Sequence, residues 1–110
     1  MIILDNSVLS SMTRLGLLTK LKELFPEVYI TTDIIEEYSV TWKKQLPSWI
    51  IIKEKEITAE RVDIPTSLSA TDISVIELAL ELDMLLASDD KIVRNYSRKV
   101  GIKVTAPLVF

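Results

Sequence analysis

Short apolar runs alternate along this chain with stretches in which apolar residues recur at helical spacing. Residues 1–4 (MIIL) read as a buried strand. From Ser7 to Leu24 the apolar positions Val8, Leu9, Met12, Leu15, and then Leu17, Leu18, Leu21 and Leu24, recur at helical spacing. Gly16 breaks that stretch into two helices and Pro26 ends it. Residues 28–30 (VYI) form the next strand. A helix capped by Thr32 or Asp33 then runs to about Gln45 and is closed by Pro47. Residues 49–57 (WIIIKEKEI) begin as a strand and turn amphipathic, and 58–68 are a polar connection. Ser69 starts a long helix through Leu82, residues 84–87 (MLLA) are a strand, and Lys91–Lys99 is a basic helix with Gly101 at its C-terminal cap. Residues 102–104 (IKV) are the last strand.

Strands of three to five apolar residues alternating with helices predict an α/β fold: a parallel sheet of about five strands covered on both faces. Asn-Gly hairpin signals are absent, which agrees. In such sheets ligands bind beyond the carboxyl ends of the strands, where strand order reverses. Asp5 and the Asp89–Asp90 pair both fall at strand carboxyl ends.

The composition narrows the chemistry. A chain of 110 residues with 48% hydrophobic and 26% charged residues predicts one globular domain over 1–110. No apolar run approaches a membrane span and no signal-peptide pattern opens the chain, so the expected location is cytoplasmic. With no cysteine and no histidine, thiolate sites, Ser-His-Asp triads and imidazole bases are excluded. Two glycines are too few for a phosphate-cradling loop. Any chemistry falls to carboxylates, whose natural partners are hard, oxygen-seeking cations. A net charge of −3 gives no global attraction to nucleic acid.

Each carboxylate has a plainer explanation to weigh. Asp5, Asp89 and Asp90 could cap the helices that follow them. One cap needs one side chain, however, and two adjacent carboxylates repel unless a cation is near, which favours a functional role for the pair. Ser69-Ala-Thr-Asp72 has the form of a capping box. Yet a helical projection places Ser74, Glu77 and Glu81 on one side and Asp72 near the middle of the apolar side, with Ile73, Val75, Ile76, Ala79, Leu80 and Leu82. A carboxylate there needs a partner, a cation or a wet cleft, so the cleft is preferred over the cap. Glu36 and Glu37 both lie off the stripe of Ile34, Ile35, Tyr38, Trp42 and Leu46, and the projection does not choose between them. Lys91, Arg94 and Arg98 recur at i, i+3, i+7 with Lys99 beside them, either an ordinary exposed face or a grip for nucleic-acid phosphates. Trp42 and Trp49 read as core or interface residues.

With these residues placed, the chain resembles PIN domains, the small nuclease fold shared by VapC-type toxins of toxin–antitoxin pairs. The resemblance spans essentially the whole chain. ILDNSVLS is similar to the opening motif, an apolar strand ending in Asp with Ser or Thr two positions on. ELFPEVYITTDIIEEYS resembles the second block, whose acidic residue precedes a hydrophobic position and so matches Glu37 rather than Glu36. ATDISVIELALELDMLLASDDKIVRNYSRKVGIKV resembles the third and fourth blocks, with Asp72 on the third acidic position and SDD on a Ser/Thr-x-Asp signature that selects Asp90 over Asp89. Many relatives carry a further helix or strand where this chain stops at TAPLVF.

The resemblance implies a three-layer α/β/α sandwich and metal-dependent RNA cleavage. Asp5, Glu37, Asp72 and Asp90 would gather one or two Mg²⁺ or Mn²⁺ ions that activate a water for attack on a phosphodiester. Ser7, Ser88, Asp89 and Glu36 would orient ligands or waters around them, and Lys91, Arg94 and Arg98 would meet the RNA. A homodimer and a small antitoxin protein with a basic side chain in the cleft are the partners implied. The main alternative is a PIN-like binding module without activity in a larger assembly. Receiver domains want an acidic pair after the first strand, and HAD-type phosphatases want Asp-x-Asp there; Asp5-Asn6-Ser7 provides neither.

Overall fold

A computed structural model describes residues 1–43, 45–55 and 64–106. In chain order the elements are β1 (Ile2–Leu4), α1 (Asn6–Leu15), α2 (Leu18–Leu24), β2 (Val28–Thr31), α3 (Thr32–Trp42), β3 (Ile50–Lys53), α4 (Ala70–Leu82), β4 (Leu85–Ala87), α5 (Lys91–Lys99) and β5 (Val104–Thr105). The strands make one five-stranded sheet in the order β3-β2-β1-β4-β5, parallel throughout. The predicted α/β class is therefore the observed one. Right-handed crossovers assign α1, α2 and α3 to one face and α4 and α5 to the other. No helix among the described residues is long and apolar enough to cross a membrane.

β1 lies at the centre, paired to β2 on one side and β4 on the other. Ile2, Ile3 and Leu4 are fully buried, as a strand covered on both faces requires. They join Val8, Leu9, Leu21, Ile30, Ile34, Tyr38, Ile76 and Leu86 in one core. Strand order reverses about β1: the chain moves outward through β2 and β3, then returns to the far side of β1 as β4. The carboxyl ends of β1 and β4 are thus adjacent, and the Asp5 amide extends their ladder by donating to Ala87 O at 3.1 Å.

Several boundaries differ from the sequence pattern. Gly16 ends α1 in the left-handed region (φ 69°), with its amide on Met12 O and Thr13 O, which is the break its position predicts. α3 stops at Trp42 rather than Gln45 because Lys43 takes the left-handed conformation (φ 51°) that pattern reasoning reserves for glycine. β3 is Ile50–Lys53, shorter than the predicted 49–57, and the predicted stretch beyond residue 55 lies outside the described residues. The same holds for residues 58–63 of the polar connection.

The helical projection of α4 needs correction. Ser74 through Ala79 are buried without interruption, including Ser74 and Glu77, which the projection had placed on a solvated side. α4 packs on β1, β2, β4 and α3, which encloses its central turns, while Glu81 stays exposed as the projection has it. A helix apolar around most of its circumference is a buried helix, and it has no single wet face from which to place Asp72.

Candidate functional site

Asp5 is the first residue past β1 and the N-cap of α1, and only 4% of it is exposed. Its Oδ1 accepts from the Val8 amide and the Ser7 hydroxyl, each at 2.9 Å. Its Oδ2 accepts from the Ser88 hydroxyl. Burial pushes the Asp5 carboxyl above its ordinary pKa; the bonds from Ser88, Val8 and Ser7 pull the other way, and the charge of Asp89 adds to the rise. The capping role and the strand-end placement predicted for Asp5 are both present, in one side chain.

Ser88, fully buried, is the first residue past β4, and its amide continues the sheet by donating to Thr105 O at 3.0 Å. While its hydroxyl donates to Asp5, the same oxygen accepts from the Asp90 amide at 3.1 Å. Asp90 is the N-cap of α5, its Oδ1 accepting from Ile92 N at 2.8 Å and Val93 N at 3.3 Å. Its Oδ2 takes no part in that cap. Asp5 and Asp90, far apart in sequence, are therefore coupled through one buried hydroxyl at the point where strand order reverses. Asp89 is exposed beside them. Arg94 turns back over this corner, its Nη1 lying 3.3 Å from Ser88 O and 3.4 Å from Asp89 O. Of the three cations predicted to meet RNA, it is the one committed to its own backbone.

Asp72 takes the role that the projection ranked second. Its Oδ2 accepts from the Ser69 amide and its own amide donates to Ser69 Oγ, both at 3.1 Å, closing a capping box. The half-buried Asp72 needs no cation to explain its position. Glu36 and Glu37 are both exposed on α3, and their surroundings do not separate them. Among the described residues no three acidic side chains lie close enough to enclose a metal ion by themselves.

One feature at this end of the sheet escaped sequence reasoning. Thr31, buried at the carboxyl end of β2, caps α3 through the Ile34 amide at 3.3 Å and meets Ser74 Oγ at 3.1 Å. Ser74 Oγ in turn donates to Thr71 O at 2.7 Å. Because the Ser74 proton is used there, Thr31 donates to Ser74. This chain ties the first turn of α4 to β2, so Thr31, Asp5 and Ser88 form a row of buried hydrogen-bonding groups across the ends of β2, β1 and β4. The sequence pattern offered Thr32 or Asp33 as the cap of α3 rather than Thr31, and the partner of Thr31 on α4, Ser74, was hidden by the assumption of a wet face.

The donor set suits a divalent cation in one mode only. Mg²⁺ is commonly held by one or two carboxylates, with waters and substrate phosphates filling the rest of its octahedron. Asp5 and Asp90 supply hard oxygens at the sheet's reversal point, and Asn6 Oδ1, next to Asp5 in sequence, is buried without a hydrogen-bond partner. A fully protein-built cage is not present among the described residues.

The fold is that of a PIN domain. A family model described as a PIN domain matches residues 1–109, and the chain belongs to that family. Its fold is similar to that of a PilT N-terminus domain protein from the hyperthermophilic archaeon Sulfolobus solfataricus, with a TM-score of 0.66 and 20% identity over 96% of this chain and 85% of that one. No curated protein matches the sequence. PIN domains are commonly nucleases.

Proposed function

We propose that this PIN domain is a metal-dependent ribonuclease whose centre is Asp5 and Asp90. The observation that carries the reading is Asp5 itself: a carboxylate buried at the reversal point of a parallel sheet, held in one orientation by three donors and kept there despite the cost of burying its charge.

Asp5 and Asp90 would hold Mg²⁺ or Mn²⁺, while Asp72, closed into its capping box, and Glu37, exposed on α3, do not join them in a group of three acids among the described residues. A bound ion supplies an acidified water and neutralises charge on the phosphodiester. The chain's own part is to fix the donors in advance. Ser7, Val8 and Ser88 restrict the Asp5 carboxylate to one orientation. The N-cap bonds of Asp90 use one oxygen and leave the other out of the cap. Asp89 adds negative charge beside Asp5 and thereby favours a cation there. With no histidine in the chain, a proton released by an attacking water passes to a carboxylate or to solvent. A toxin role would add an antitoxin whose basic side chain occupies this acidic corner, and a homodimer as the working form.

A second reading is an inactive PIN-like binding module, and the absence of three converging acids among the described residues favours it. Purified protein is to be incubated with a mixed structured RNA pool plus Mg²⁺, Mn²⁺ or EDTA, beside folded Asp5→Asn and Asp90→Asn variants. Metal-dependent cleavage lost in both variants establishes the nuclease. No cleavage by wild type, with no Mn²⁺ binding by calorimetry, establishes the module.

A further inference from the structure

Four of the chain's 13 Lys and Arg residues lie within the nine residues of α5, which carries no acidic side chain, in a protein of net charge −3. The exposed positions of that helix are Lys91, Ile92, Asn95, Arg98 and Lys99, spaced i, i+1, i+4, i+7, i+8, which is a single stripe. The stripe begins next to Asp90 and ends about 12 Å farther along the helix axis. Beside it lies a groove of about 230 Å³ lined by Pro65, Ile92, Asn95, Tyr96 and Lys99. Its walls are mostly apolar, with Ile92 43% exposed at the edge, one amide, and a lysine at the far end. The groove is smaller than a drug-sized pocket of roughly 300 Å³ or more.

We propose that this groove seats one unpaired base of an RNA strand whose phosphates run along Lys91, Arg98 and Lys99 away from the acidic site. A flat apolar ring with polar edges fits a small apolar slot containing one amide, and the surrounding cations complement the phosphates on either side. Arg94 is replaced in this role by Lys99, because its guanidinium is turned onto the Ser88 and Asp89 carbonyls. A paired base cannot enter such a slot, so the arrangement selects single strands over duplex. The inference takes its substrate class from the ribonuclease reading but does not depend on cleavage.

The test measures fluorescence anisotropy of a short labelled single-stranded RNA with wild-type protein in EDTA, so that binding is read without turnover. An RNA of the same length with abasic sites and a duplex are run as competitors. Wild type is expected to prefer the intact strand over the abasic one by about tenfold, toward the low end of what a seated base contributes. Ile92→Ala and Asn95→Ala should erase that preference and leave the salt dependence unchanged. Arg98→Ala and Lys99→Ala should weaken all single strands together, each lowering the slope of log affinity against log salt by about 0.7. Equal binding of intact and abasic strands, equal binding of duplex, or indifference to the α5 variants overturns the proposal. So does failure to bind RNA, which would leave the groove to a peptide or a second copy of the chain. Binding that depends on α5 without cleavage by wild type in Mg²⁺ or Mn²⁺ upholds the groove and rejects the nuclease. Cleavage that ignores the α5 variants does the reverse.

Discussion

The hydroxyl of Ser88 donates to the buried carboxylate of Asp5 across a separation of 83 residues, and it joins the ends of the two strands between which the sheet reverses order. The same oxygen accepts the Asp90 amide. Ser88→Ala removes both interactions from a fully buried position. It should destabilise the protein by about 1–3 kcal/mol, since an acceptor and a donor lose their shared partner inside the fold. The denaturant midpoint in urea should fall with an unchanged slope. Ser88→Thr keeps the hydroxyl and should recover most of that loss if its extra methyl is accommodated. RNA cleavage should follow the hydroxyl, low in the alanine variant and restored by threonine.

Asp5→Asn separates the stability of the site from its chemistry. The folded protein raises the Asp5 pKa mainly through burial, so the native state holds the proton more tightly than the unfolded chain. The stability contribution of this group is therefore complete below the ordinary carboxylate value of about 3.8 and is lost as pH rises through the higher folded value. A neutral asparagine avoids that loss. Asp5→Asn should match wild type in acid and exceed it at neutral pH, with the gap opening across the interval above the ordinary value. Urea midpoints of both proteins from acid to neutral pH check this. A wild type at least as stable as the variant at neutral pH would contradict a desolvated Asp5 charge, whereas cleavage should be absent from the variant throughout.

How far the site could be read from sequence depends on the range of each interaction. The caps at Asp5 and Asp90 were legible because a cap and its helix are neighbours in the chain, and the apolar run before Asp5 marks a buried strand end; the Ser69–Asp72 box was visible as a motif but was ranked below the cleft. The stop at Lys43 was not legible, since lysine in the left-handed region (φ 51°) does not announce a helix end as glycine does, whereas the end of α4 at Leu82, before the left-handed Asp83, was read correctly. Ser74 and Glu77 were misplaced because a helical projection assumes one wet side, while α4 is packed against three strands and a helix. The signal was present: Ile73, Val75, Ile76, Leu78, Ala79, Leu80 and Leu82 leave little of the circumference polar. The coupling of Ser88 to Asp5 depends on strand order, which local pattern does not encode.

Ser74→Ala tests the tie between α4 and β2. The substitution removes the acceptor of the Thr31 hydroxyl and the donor to Thr71 O. Thr31 still accepts from Ile34, so α3 keeps its cap. The expected loss is about 1–2 kcal/mol of global stability, in the range for one buried hydrogen-bonded hydroxyl. Hydrogen exchange should locate the change: amides in the first turn of α4 should open faster, while those at the start of α3 stay protected. Uniform acceleration across both helices would argue that Ser74 matters only through packing.

Asp90 has two duties, capping α5 and offering a second oxygen to the site, and two substitutions separate them. Asparagine is as good an N-cap as aspartate, so Asp90→Asn should keep the bonds to the Ile92 and Val93 amides and leave Tm nearly unchanged. Asp90→Ala removes the cap and should cost about 0.5–2 kcal/mol. Both remove the negative charge and should abolish metal-dependent cleavage to the same extent. A ligand that binds only the folded state at a hundred times its Kd adds about 2.7 kcal/mol to stability. Saturating Mn²⁺ should therefore raise the Tm of wild type and fail to do so in either variant. An equal rise in all three proteins would mean that the ion binds elsewhere, and Asp90 would then be a helix cap alone.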